Sequence, residues 1–154
     1  MHLTWNRNGG PSQKVIPNIP ESAVDWNAFL GNTKPQPYDP YKMRNWRFFW
    51  EFGGGVFTDL MVHFIDVTHW FLDMQHPDVA ASIGNWLNRK DQWETPDTVQ
   101  TIMQYTEPET QVYFEGTFYN ARNAAMMEFM GSEATLYCDR GRYEIHPEYN
   151  RKIE

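Results

Sequence analysis

Residues 54–72 constrain the fold more than any other part of the chain. Apolar side chains at Val56, Leu60, Phe64, Val67 and Phe71 are joined by Phe57, Met61, Val62, Ile65 and Leu72, and together they surround a helix on nearly all sides. Such a helix is expected to be buried rather than amphipathic. After Pro77 the pattern changes to period two, which predicts strands over 78–87, 99–105, 111–119, 125–131, 134–138 and 142–146. The EPET run at 107–110, Gly131-Ser132 and Arg140-Gly141 read as hairpin connections. The expectation is an α+β fold: a mostly antiparallel open sheet with helices on one face and no Rossmann domain, spanning 1–154 as a single unit.

Upstream, residues 1–8 alternate as part of a strand that Gly9-Gly10-Pro11 ends. Six prolines over 11–40 indicate an extended connection. It is interrupted by SAVDWNAFLG, where Trp26, Phe29 and Leu30 share one face of a helical turn. Residues 41–52, YKMRNWRFFWEF, are too aromatic for a flexible linker. A net charge of -7 without any basic run argues against nucleic acid as a partner. With no charged-then-apolar leader and no stretch of about eighteen apolar residues, the expectation is a cytoplasmic chain that neither carries a signal peptide nor crosses a membrane. Cys138, the sole cysteine, lies in an alternating segment and reads as a structural strand residue.

The polar residues of the 54–72 helix are its exceptions. Asp59, His63, Asp66 and Asp73 are spaced by 4, 3 and 7, so at about 100° per residue they form one stripe. Carboxylates among Phe, Ile and Leu are costly unless paired or facing a wet cleft, so the stripe is expected to line one. An imidazole with an intrinsic pKa of about 6.5 suits proton removal from a hydroxyl, and a carboxylate one turn earlier can orient it. His63 and Asp59 are the candidate catalytic pair, against the plainer reading that they only satisfy each other. His69 lies off the stripe and reads as structural.

The run G-G-G-x-x-x-D-x-x-x-H-x-x-D from Gly53 to Asp66, with Trp70 after it, resembles the signature helix of the Gfo/Idh/MocA oxidoreductases. NRNGGP at 6–11, VDWNAFLG, and YDP followed by WRFFWEFGGG resemble the branch of that family that processes sugars. The resemblance implies the C-terminal, substrate and oligomerisation domain of a NAD- or NADP-dependent enzyme, shortened at both ends. In the family the Asp and His matching Asp59 and His63 lie beside the substrate hydroxyl and the nicotinamide, and a Lys from the nucleotide-binding domain completes the set. It also implies a sugar or cyclitol ligand near Arg47, Trp50, Tyr38 and Asp66, and a homo-oligomer formed through the sheet. Met61 departs from the small residue usual two positions after the Asp, which narrows the pocket. No G-x-G-x-x-G follows a strand, so no cofactor is expected to bind this chain alone. The triple glycine reads as a substrate-side turn rather than a phosphate cradle.

Three functions follow from this reading. One is the substrate-binding and oligomerisation domain of a sugar or cyclitol oxidoreductase that lacks its nucleotide-binding domain and is inactive alone. Another is a metal-dependent hydrolase or lyase holding one divalent ion through Asp59, His63 and Asp66. The third is a non-catalytic sugar-binding or assembly module. The aromatic run Trp46, Phe48, Phe49 and Trp50 either packs the core or stacks on sugar rings, with Arg47 and Trp50 favoured for the cleft.

Overall fold

A computed structural model describes residues 1–9 and 14–150. Strand β1 (His2–Asn6) opens the chain. Two short helices follow, α1 (Trp26–Leu30) and α2 (Pro40–Arg44), each begun by an aspartate. Asp25 accepts from the Ala28 N–H, and Asp39 accepts from Tyr41 and Lys42, so each carboxylate satisfies donors that the first turn leaves open. A π-helical turn, Phe57–Met61, then runs into α3 (Val62–Leu72). The remaining strands are β2 (Val79–Asn85), β3 (Thr98–Thr106), β4 (Glu109–Thr117), β5 (Ala125–Met130), β6 (Ala134–Cys138) and β7 (Tyr143–Pro147). No helix among the described residues is long and apolar enough to cross a membrane.

The seven strands form one open sheet in the order β2-β3-β4-β1-β5-β6-β7. Every pairing is antiparallel except β1 with β4, which is parallel. The first strand is thus inserted between two strands from the far end of the chain. Alternation does the sorting of faces, as the pleat requires. On β3, Val99, Thr101, Met103 and Tyr105 are buried beneath the helical layer while Ile102 is exposed on the opposite face. Val112 and Phe114 of β4 and Leu3 and Trp5 of β1 join the same core, closed from above by Val56, Leu60, Met61 and Phe64.

The helix is buried on one side only, which corrects the expectation from its all-round apolar pattern. Val62, Trp70 and Phe71 are exposed, Trp70 by 82%. Leu60, Met61, Phe64 and Thr68 are the positions that meet the sheet, and the opposite face points away from it. The apolar excess is therefore surface, of the kind that marks an interaction site.

Asp97 locks the connection from β2 to β3. Its fully buried carboxylate accepts from the backbone N–H of Leu87 at 3.0 Å, Asn88 at 2.7 Å and Arg89 at 2.6 Å, and from Thr98 Oγ1 at 2.9 Å. Its main chain ties Asn85 to Phe118. A buried carboxylate with this many donors is satisfied, and removing it orphans all of them. Asp97→Ala is expected to lower stability by about 3 kcal/mol, measured by denaturant unfolding; a loss within experimental error would show that the loop holds itself.

Candidate functional site

The segment before the helix folds back tightly, and its glycines are there for contact. A Cβ on Gly53 would lie 2.9 Å from the Arg47 carbonyl oxygen. Gly55 has φ +67°, and a Cβ there would lie 2.4 Å from Thr95 Oγ1. Both distances exclude a side chain, so the turn brings residue 47 against the start of the helix. Arg47 Nε donates to Asp59 Oδ1 at 2.9 Å while its guanidinium lies 4.5 Å from the centre of the Trp46 ring. The pair is half-exposed and contributes little to stability, about 0.2–1 kcal/mol. Its effect is to fix the carboxylate.

Asp59 and His63 are not hydrogen-bonded to each other, contrary to the direct pairing that helical spacing predicts. Asp59 lies inside the π turn, which keeps it within one turn of His63, but its carboxylate is taken by another residue. The Asp59 partner comes instead from the folded-back segment. His63 is exposed and rests on Trp5, with ring centres 5.4 Å apart. Trp5 is 2% exposed and packs against Phe64 at 4.8 Å, forming a floor under the imidazole. Sequence reasoning missed Trp5, although its place two residues before Arg7 at the end of an alternating strand was the available signal.

The remaining expected residues are distributed around this centre. Asp66 is exposed on α3, and Asp73 caps the helix in a left-handed conformation with φ 52°. Trp50 is 61% exposed, and its main chain N–H donates to Glu94. The Tyr38 hydroxyl donates to the Ile19 carbonyl at 2.8 Å, and its ring meets Trp26 edge-on. Phe48 and Phe49 are buried, Phe48 stacked on Trp93 at 3.6 Å, so these two members of the aromatic run are core. Cys138 is half-buried, and burial pushes its thiol up, which suits a structural residue and not a nucleophile.

The metal triad is corrected by this geometry. Among the described residues no three His, Cys, Asp or Glu side chains gather closely enough to hold an ion. Arg47 engages the Asp59 carboxylate instead. Nor does the glycine turn fit a dinucleotide phosphate: the Gly54 N–H is taken by Thr58 Oγ1 at 2.9 Å, and Gly55 packs on Thr95.

His69 is structural, as its position predicts. Its Nε2 is hydrogen-bonded to the Tyr105 hydroxyl at 2.8 Å beneath the helix. Burial lowers its pKa, more than the Asp66 charge raises it. A histidine held neutral in the fold stabilises above the unfolded value and loses that contribution as the pH falls below it. In an NMR titration His69 is expected to protonate below the ordinary histidine value of about 6.5; protonation at or above that value would contradict the burial.

Comparison with known proteins gives the same frame. The sequence profile of the GFO/IDH/MocA C-terminal domain matches residues 26–144, well over half of the chain. No curated protein matches it in sequence. Among solved structures, levoglucosan dehydrogenase in complex with NADH superposes with a TM-score of 0.62 at 13% identity, covering 97% of this chain and 36% of the other. Its complex with NADH and levoglucosan gives 0.61 at 14% identity, with the same coverage. The WlbA dehydrogenase from Bordetella pertussis, in complex with NADH and UDP-GlcNAcA, gives 0.53 at 16% identity, covering 88% of this chain and 32% of that one. At such identities the likeness is one of fold, and the chain spans about a third of the length of each of these enzymes.

Proposed function

Because the chain belongs to the Gfo/Idh/MocA family, as its C-terminal domain, we propose that it is the substrate-binding and oligomerisation domain of a NAD- or NADP-dependent sugar or cyclitol oxidoreductase. The observation that carries the reading is an exposed imidazole and a fixed carboxylate one turn apart on the same helix. His63 stands on Trp5, and Asp59 is held by Arg47 on the adjoining turn. The imidazole takes the proton of a ring hydroxyl. Asp59, unable to swing while Arg47 holds it, accepts a hydrogen bond from the same or a neighbouring hydroxyl and sets its position. Arg47 keeps its terminal nitrogens for sugar oxygens, and the exposed Trp50 indole offers a stacking face. Asp66 accepts from a further hydroxyl one turn on. Tyr38 contributes its ring alone, since its hydroxyl is committed to Ile19.

The nucleotide belongs to a separate nucleotide-binding domain, which the bare outer face of α3 meets through Val62 and Trp70. Their exposure supports this. The opposite face of the sheet supports self-association: Val79, Ile83, Ile102 and Met130 are all exposed there. A concavity of about 380 Å³ lined by Val79, Ala81, Ile102, Tyr113 and Met130 is available to a second copy.

Calorimetric titration of the chain with neutral hexoses and cyclitols, and separately with NAD and NADP, tests the division of labour. Saturable sugar uptake is expected, weakened about tenfold in Arg47→Ala and in His63→Ala, with no uptake of either dinucleotide. Micromolar dinucleotide binding, or sugar affinity unchanged in both variants, would contradict the proposal.

A further inference from the structure

Two arginines lie against the indole that supports His63. The Arg7 guanidinium, at the end of β1, lies 5.4 Å from the centre of the Trp5 ring, and that of Arg140, in the β6–β7 turn, lies 4.6 Å from it. His63 meets the same indole. Neither arginine has a carboxylate partner among the described residues, in a chain with twenty acidic residues against thirteen basic ones. The contrast is local. Arg142, two positions after Arg140, is held by Asp139 at 3.5 Å and by Glu144 at 3.1 Å, and Arg47 is held by Asp59.

Stacking on an indole accounts for where each guanidinium lies, but it leaves both charges uncompensated and facing one ring. Both guanidiniums lie within 5.4 Å of one ring centre, so an anion held beside that ring is drawn by either charge. The positions are also built rather than incidental. Arg7 is anchored by its N–H to the Thr117 carbonyl at 2.8 Å. The turn carrying Arg140 is fixed by Asp139 Oδ1, which accepts from the Gly141 and Arg142 N–H groups at 2.7 and 2.9 Å. Guanidinium groups match carboxylate and phosphate oxygens in pairs, which neutral hydroxyls do not exploit.

We propose that Arg140, together with Arg7, makes this a site for anionic sugars, the two guanidiniums holding a carboxylate or phosphate on the ring whose hydroxyl faces His63. The inference rests on the assignment of His63 and Asp59 to the sugar. Arg140 is then a specificity residue delivered from the far end of the chain, and Trp5 is the ring that the two guanidiniums and the imidazole share.

The test compares D-glucuronate, D-glucose 6-phosphate and D-glucose as ligands of the whole chain, by calorimetry at low and high salt. At least one anionic sugar is expected to bind about tenfold or more tightly than glucose, with the advantage shrinking as salt rises. An advantage for glucuronate alone identifies a carboxylate, for the phosphate alone a phosphate, and for both the shared charge. Arg140→Gln brings the anionic sugars to the level of glucose, whereas Arg142→Gln, whose charge is already neutralised, keeps the difference. If Arg140→Gln does not give a folded circular dichroism spectrum, Arg7→Gln makes the same test from the other side. Equal affinities for all three sugars, or an advantage that survives both substitutions, would overturn this proposal and leave the sugar-domain reading standing. Absence of binding by any sugar would overturn both.

Discussion

The insertion of β1 between β4 and β5 is the constraint on which the rest of the structure depends. Asn6 Nδ2 donates to the Arg122 carbonyl, 116 residues later, and the register sets His2 opposite both Tyr113 and Glu128. Nothing local drives these pairings; the alternating Leu3 and Trp5, both fully buried, drive them by supplying the centre of the core. Closing so long a loop costs little more than closing one of half the length, because the entropy grows only logarithmically. It does defer the core until the chain has found its distant partners, which slows folding of such sheets.

From that strand the site follows by geometry. Trp5 supports His63 from below, and the helix that carries His63 starts where the glycine turn presses Arg47 against it. The turn is itself held from the side, since the Phe48 carbonyl accepts from the Glu94 and Thr95 N–H groups of the β2–β3 connection. Asp97 locks that same connection. One polar lock, one aromatic floor and one crowded turn therefore set the relative positions of groups drawn from three separate stretches of the chain. A π turn at Asp59 fits this pattern, because an extra residue in a helix re-aims a side chain without breaking the backbone bonding.

What was legible in the sequence was whatever has a local period. The six later strands show as alternation, and each lies within a few residues of its expected span, because one face of every strand in the centre of the sheet is dry. The resemblance carried by Gly53 to Asp66 is likewise local, and the family match bears it out. Pairing partners have no period, so the parallel β1–β4 contact was invisible. The π turn was invisible for a related reason: an apolar pattern read at a constant 100° per residue reports no change of pitch. Helical spacing alone suggested the Asp59–His63 pair, whereas Arg47, twelve residues before Asp59, takes the carboxylate only after the chain folds back. The all-round apolar helix misled differently, since Val62 and Trp70 are as hydrophobic as a core demands yet are exposed. Hydrophobicity records that a surface is to be covered, and does not say by what.

The chain therefore presents three unlike surfaces: an apolar helix face, an apolar sheet face, and between the helix and the end of β1 a cationic and aromatic patch around His63. The ligand surface proposed above is the third. Mapping amide and indole chemical-shift changes while a sugar is titrated into the labelled chain tests it most directly. The account predicts changes concentrated at Trp5, Arg47, Asp59 and His63, with Val79, Ile102 and Tyr113 on the bare sheet face unmoved; changes confined to that sheet face, with the Trp5 indole and His63 silent, would contradict it.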